Sequence, residues 1–109
     1  MRVIYKEPGK DPAVKEIEND LVSLQALVGG LIEPVRLRKG LVLIMNEEGK
    51  LNGMSPNFYL PALGDMIVGP VVFTGEDGEN FADVPDMYIG VITQFFKEGW
   101  HEKIRRVME

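Results

Sequence analysis

Seven apolar residues, Val84, Met87, Tyr88, Val91, Ile92, Phe95 and Phe96, recur at steps of three and four, the spacing that lines up one face of an α-helix. Such a stripe is stable only against another apolar surface, because each large side chain withdrawn from water contributes roughly 1.5–3 kcal/mol. The sequence supplies that surface. Leu41-Val42-Leu43-Ile44-Met45 is an unbroken apolar run of strand length, the pattern of a strand covered on both faces. With 109 residues in all, there is room for one core and no second one. The expected fold class is therefore α+β, a small and mostly antiparallel β-sheet of four to six strands packed against one long and one short α-helix.

The remaining elements are read around these two. Val3, Ile4 and Tyr5 favour a strand that ends in the Pro8-Gly9 turn, and residues 13–18 read as a returning strand. Asn19 and Asp20 offer N-cap side chains for a short helix carrying Leu21, Leu24, Leu27 and Val28, closed by Gly29-Gly30. In residues 31–37, Leu31, Glu33, Val35 and Leu37 share a face, and Pro34 pushes that strand toward a sheet edge or a bulge. Residues 51–63 show no clean period and contain Gly53, Pro56 and Pro61, so they read as a loop pinned by Met54, Phe58, Tyr59 and Leu60. A strand over 66–74 bends at Gly69-Pro70, and an acidic turn follows over 75–80. Asp83 is placed to cap the long helix, Pro85 is tolerated in its first turn, and Asp86 complements its dipole. Trp100, Ile104, Val107 and Met108 repeat helical spacing. The expected organisation is a single domain over 1–109, with a core over 1–98 and a C-terminal helical extension over 99–109.

Chemistry is narrowly supplied. Without cysteine there is no disulfide, thiolate or cysteine zinc site. A serine triad would need Ser23 or Ser55 to meet His101, and neither serine lies in a Gly-x-Ser-x-Gly elbow. Glu47 and Glu48 are adjacent and project apart if extended, which suits a solvated turn better than an acid/base pair. Residues 76–80 lack the spacing of a calcium loop, and Gly29-Gly30 precedes a strand instead of opening a phosphate-binding helix. No catalytic residue, metal site or cofactor is expected. The formal net charge is -5, and residues 51–96 hold six carboxylates with no lysine or arginine, which argues against general polyphosphate binding. No apolar run reaches the roughly 20 residues of a membrane helix, and the N-terminal run is too short for a secretory leader. A cytoplasmic setting without membrane contact is expected.

The runs Glu7-Pro8-Gly9-Lys10, Leu24-Gln25-x-Leu27-Val28-Gly29-Gly30-x-Ile32-Glu33, Asn46-Glu47-Glu48-Gly49-Lys50-Leu51 and Pro56-Asn57 occur in an order that resembles domain-of-unknown-function family 3846. Members are small proteins of bacteria, phages and mobile elements, and the resemblance spans roughly residues 2–96. It implies a compact α+β domain and brings no activity or ligand. Where members often carry a cation after the Pro-x-Asn run, this chain has Phe58.

Function is accordingly expected to be that of a non-enzymatic binding or regulatory module of bacterial or mobile-element origin. Its ligand or partner surface is placed at Asn46, Glu47, Glu48, Asn57 and Tyr59, where amides, carboxylates and an aromatic ring follow a buried strand. The expected partner is a protein, with a homodimer through the C-terminal helix as a further expectation. The alternative is nucleic-acid association through Lys97, Lys103, Arg105 and Arg106, which would show the salt dependence of phosphate contacts.

Overall fold

A computed structural model of the chain describes residues 1–98. Ten elements run in the order β1 (Arg2–Lys6), β2 (Ala13–Glu16), α1 (Leu21–Val28), β3 (Ile32–Arg38), β4 (Leu41–Asn46), β5 (Pro56–Leu60), β6 (Asp65–Val68), β7 (Val71–Asp77), β8 (Asn80–Ala82) and α2 (Asp86–Lys97). The main sheet has the order β2-β1-β7-β4-β3, with β8 added along β7, and every pairing is antiparallel. β5 and β6 form a separate antiparallel hairpin. The α+β class, with one long and one short helix, is the observed one.

β4 lies inside the sheet between β7 and β3, and its apolar run serves both faces. Leu41 and Leu43 join Ile4, Val71 and Phe73 under α2 and the hairpin, while Val42 and Ile44 join Val3 and Val72 under α1. The sequence alternates by position and not by polarity because both sides are covered. On the first face Phe58 of the hairpin meets Phe96 of α2 edge to face at 4.9 Å between ring centres, the arrangement aromatic quadrupoles favour. On the second face Leu24 and Val28, one turn apart, press α1 onto the sheet. Asp20 caps α1 by accepting from the Ser23 N–H, and Gly29 closes it with a left-handed φ of 80°, a conformation that costs glycine no Cβ clash. β3 is an edge strand, as its Pro34 requires.

The structure departs from the sequence expectations in five places. Residues 51–63 are not simply a loop: β5 lies within them, and its pairing register shifts between Pro56 and Phe58. That shift buries the successive residues Asn57 and Phe58, which removes the alternation by which a strand is read. The strand expected over 66–74 is two strands in different sheets, β6 and β7, separated at Gly69-Pro70. β7 also runs on to Asp77, so the acidic turn is shorter than expected; the main sheet has six strands, within the expected four to six, and the β5–β6 hairpin stands apart from it. Asp83 does not cap α2; its carboxylate accepts from the Arg2 N–H at 2.8 Å, and Pro85 holds the N-cap position without a side-chain bond. Finally, the stripe of α2 is narrower than its sequence. Tyr88, Ile92 and Phe96 are buried, whereas Met87 and Val91 are 69% and 57% exposed. The expected extension over 99–109 lies outside the described residues.

Candidate functional site

The two asparagines singled out in the sequence are interior. Asn46 ends β4, where its Oδ1 accepts from the Glu48 N–H at 2.8 Å and its Nδ2 donates to the Val28 carbonyl at 3.2 Å. It thereby shapes the turn after β4 and satisfies a carbonyl that the end of α1 leaves without a helical partner. Asn57, 1% exposed, accepts from Lys6 Nζ at 2.8 Å and donates to the carbonyls of Lys6 and Gly69 at 2.9 and 2.8 Å. These amides hold loops in place.

The turn that Asn46 shapes stands across from β6, and between them lies a cleft of about 170 Å³. Met45, Met66, Ile67 and Val68 contribute its apolar lining, and Glu33, Glu47, Lys50 and Asp65 its charges. Glu33 and Met45 are cross-strand partners in β3 and β4, so the pairing register places that carboxylate at the cleft. Close approach of the turn to β6 depends on Gly49, where a Cβ would stand 3.1 Å from Val68 Cγ2. Lys50 spans the cleft residues by donating to both Asp65 oxygens at 2.6 and 2.7 Å. Among the described residues, Glu33 and Glu47 have no such ion partner. Leu51, 88% exposed, is the most exposed large apolar residue of the lining.

Of the residues expected to bind, Asn46 and Glu47 meet at this cleft. Glu48 is exposed beside it without lining it, Asn57 is buried against Lys6, and Tyr59 is half-buried on β5 opposite Met66. Sequence reading missed Glu33 and Asp65, which reach the cleft only through strand pairing, and Lys50 and Leu51, which already stood in the Asn46–Leu51 motif. Two other clefts, of about 200 and 310 Å³, share Glu79, Asn80 and Phe81 and hold nothing from residues 46–59. No group of three histidine, cysteine, aspartate or glutamate residues among the described residues is arranged to hold a metal ion. Lys97 is exposed in the last turn of α2; Lys103, Arg105 and Arg106 lie outside the described residues. No described helix is long and apolar enough to cross a membrane.

One antiparallel sheet with a helix on each face, and a hairpin whose far side closes a cleft with charged and apolar lining, defines a two-faced α+β fold. The family described as Domain of unknown function (DUF3846) matches residues 1–97, and the chain belongs to it. No curated protein and no solved structure matches it.

Proposed function

We propose that this chain is a non-enzymatic binding module whose cleft beside Glu47 takes a lysine or arginine side chain from a partner protein. The observation that carries this reading is the pair of carboxylates, Glu33 and Glu47, left without an ion partner around an apolar lining of Met45, Met66 and Val68. A basic side chain suits both parts, since its aliphatic stem covers the apolar surface while its charged head stays at the wet rim. Exposed ion pairs contribute only about 0.2–1 kcal/mol each. Binding therefore draws most of its energy from the stem and from contacts around the cleft, among them exposed Leu51 of its lining. The setting that accords with the family resemblance is the cytoplasm of a bacterium, or a phage or mobile element within one.

Amide chemical shifts of labelled protein, followed during titration with acetyl-arginine amide and separately with acetyl-norleucine amide, test this reading. Perturbations should cluster at Glu33, Glu47, Leu51 and Met66, be weaker with the uncharged ligand, and vanish in Glu33→Gln/Glu47→Gln. Equal perturbation by both ligands, or an unchanged response in the double variant, would refute it.

A further inference from the structure

The outward side of α2 carries a glycine that nothing among the described residues explains. Gly90 is exposed in the middle of the 12-residue helix, and a Cβ built on it meets no atom within 4 Å. Glycine inside a helix is less favourable than alanine because of the backbone freedom it loses, and here neither a turn nor a tight neighbour calls for it. Its flanking residues on the same side are Met87 and Val91, both more than half exposed. Counting about 100° per residue, Met87, Gly90, Val91 and Gln94 form a ridge opposite the buried Tyr88, Ile92 and Phe96. A notch without a side chain, bordered by two exposed apolar groups, is the surface that lets another helix backbone approach closely.

Charge selects the occupant. Asp86 and Lys97 stand at the two ends of α2, eleven residues apart, which at about 3.6 residues per turn is close to three full turns. They therefore lie on the same flank of the ridge. When two copies of a helix pack antiparallel about a two-fold axis, each flank meets its own counterpart running the other way. Asp86 of each copy then faces Lys97 of the other, and the two helix dipoles oppose. We infer that α2 pairs antiparallel with α2 of a second copy, with Gly90 and Val91 at the crossing and two equivalent Asp86–Lys97 ion pairs at its ends. The ion pair that Asp86 already makes with Arg2, at 2.6 Å, uses one carboxylate oxygen, and the Asp86 side chain remains 84% exposed. A contact confined to helices about 18 Å long falls short of the roughly 1,200 Å² of a standard stable interface. The dimer is accordingly of the weak, transient class. This pairing uses a surface other than the Glu47 cleft and does not depend on the function proposed for it.

Sedimentation equilibrium of the full chain over a concentration series tests it. Wild type should pass from monomer toward dimer mass, while Val91→Asp and Gly90→Leu, both outside the core, should keep the wild-type circular dichroism and weaken association at least about tenfold. Lys97→Asp alone sets two carboxylates against each other at both ends, and Asp86→Lys alone sets two ammonium groups together. Each variant should be monomeric by itself, and an equimolar mixture of the two should recover the dimer, because both ends are then attractive. Wild type that stays monomeric up to about 1 mM would overturn the inference. So would a dimer indifferent to Val91→Asp, or a charge-reversed mixture that fails to associate.

Discussion

Lys6 Nζ donates to Asn57 Oδ1 at 2.8 Å, and the Asn57 amide returns a bond of 2.9 Å to the Lys6 carbonyl. Both residues are buried, at 3% and 1% exposure. The pair ties β1 to the β5–β6 hairpin, with the Lys6 ammonium also 5.2 Å from the centre of the Phe96 ring and bonded to the Glu7 carbonyl. Truncating Asn57 removes an acceptor from a buried ammonium and donors from two buried carbonyls. Asn57→Ala should therefore cost about 2–4 kcal/mol in urea unfolding. Asn57→Asp should not rescue it: the carboxylate keeps the contact to Lys6 but turns an acceptor toward the carbonyls of Lys6 and Gly69. An aspartate variant as stable as wild type would show that the two donor bonds contribute nothing.

The two sides of α2 predict opposite effects from neighbouring substitutions. Ile92 is 6% exposed in the cluster with Phe58 and Phe73, so Ile92→Asp buries an unpaired carboxylate and should unfold the protein. Gly90→Ala adds a methyl group that meets nothing and should stabilise the monomer by about 0.5–1 kcal/mol through helix propensity. Thermal melts at low concentration, where association is negligible, separate the two. A folded Ile92→Asp variant with the wild-type midpoint would contradict the orientation of the helix.

What the sequence made legible follows from how locally each feature is encoded. The β4 run and the inner α2 residues announce themselves because burial on that scale leaves a periodic or continuous apolar signature, and Asp20 and Gly29 because capping chemistry is set by neighbours. β5 was hidden by its own bulge, since two successive buried residues, Asn57 and Phe58, read as irregular. Spacing alone predicts core positions for Met87 and Val91, which are exposed, because spacing fixes a helix face but not how wide a strip of it is covered. At the cleft, Glu47 could be found from its motif; Glu33 and Asp65 join it only through the pairing of β3 with β4 and of β6 with β5, which no local pattern states. The amides of Asn46 and Asn57 looked available for recognition in the sequence, and the structure shows each engaged with backbone or Lys6.

Gly75 makes a prediction of a different kind, from contact with backbone. A Cβ there would lie 2.1 Å from the Asp83 carbonyl oxygen and 3.2 Å from Pro85 Cδ. The opposing segment has little freedom to retreat, because Val84 is fully buried and its N–H donates to the Arg2 carbonyl at 2.9 Å. Gly75→Ala should cost about 3 kcal/mol or more, by displacing the chain that leads into α2. Gly78, in the turn after β7, has a φ of 62° and open space around its Cβ position; Gly78→Ala should cost only the left-handed strain, about 1–2 kcal/mol. Chemical unfolding of the two variants side by side checks the order, and equal losses would mean that the Asp83 segment yields.

Glu76 provides the pH dependence. Its Oε2 accepts from the Gly40 N–H at 2.7 Å and from Arg36 Nε at 2.8 Å, joining β7 to the β3–β4 turn. The Gly40 amide holds this carboxyl below the ordinary glutamate range; desolvation opposes it, and the bond and charge of the Arg36 guanidinium add to the lowering. Asp20 is lowered in the same sense by its bonds from the Ser23 side chain and N–H at the α1 N-cap. A carboxyl whose folded pKa lies below its unfolded value binds fewer protons when folded. Its stabilisation is complete above the unfolded pKa, near 4.3 for glutamate and 3.9 for aspartate, and is lost as pH falls through the folded value. Stability should therefore be level with respect to these two groups from pH 7 to about 5 and decline below. Glu76→Gln should be less stable than wild type at pH 7 and should converge with it as pH falls through the folded value, because protonation removes the same charge from the wild-type protein. Asp20→Asn should behave alike. Thermal midpoints of the three proteins across pH 2–7 provide the check, and a Glu76→Gln difference that stays constant over that range would mean that the bonds to Gly40 and Arg36 contribute without regard to the carboxylate charge.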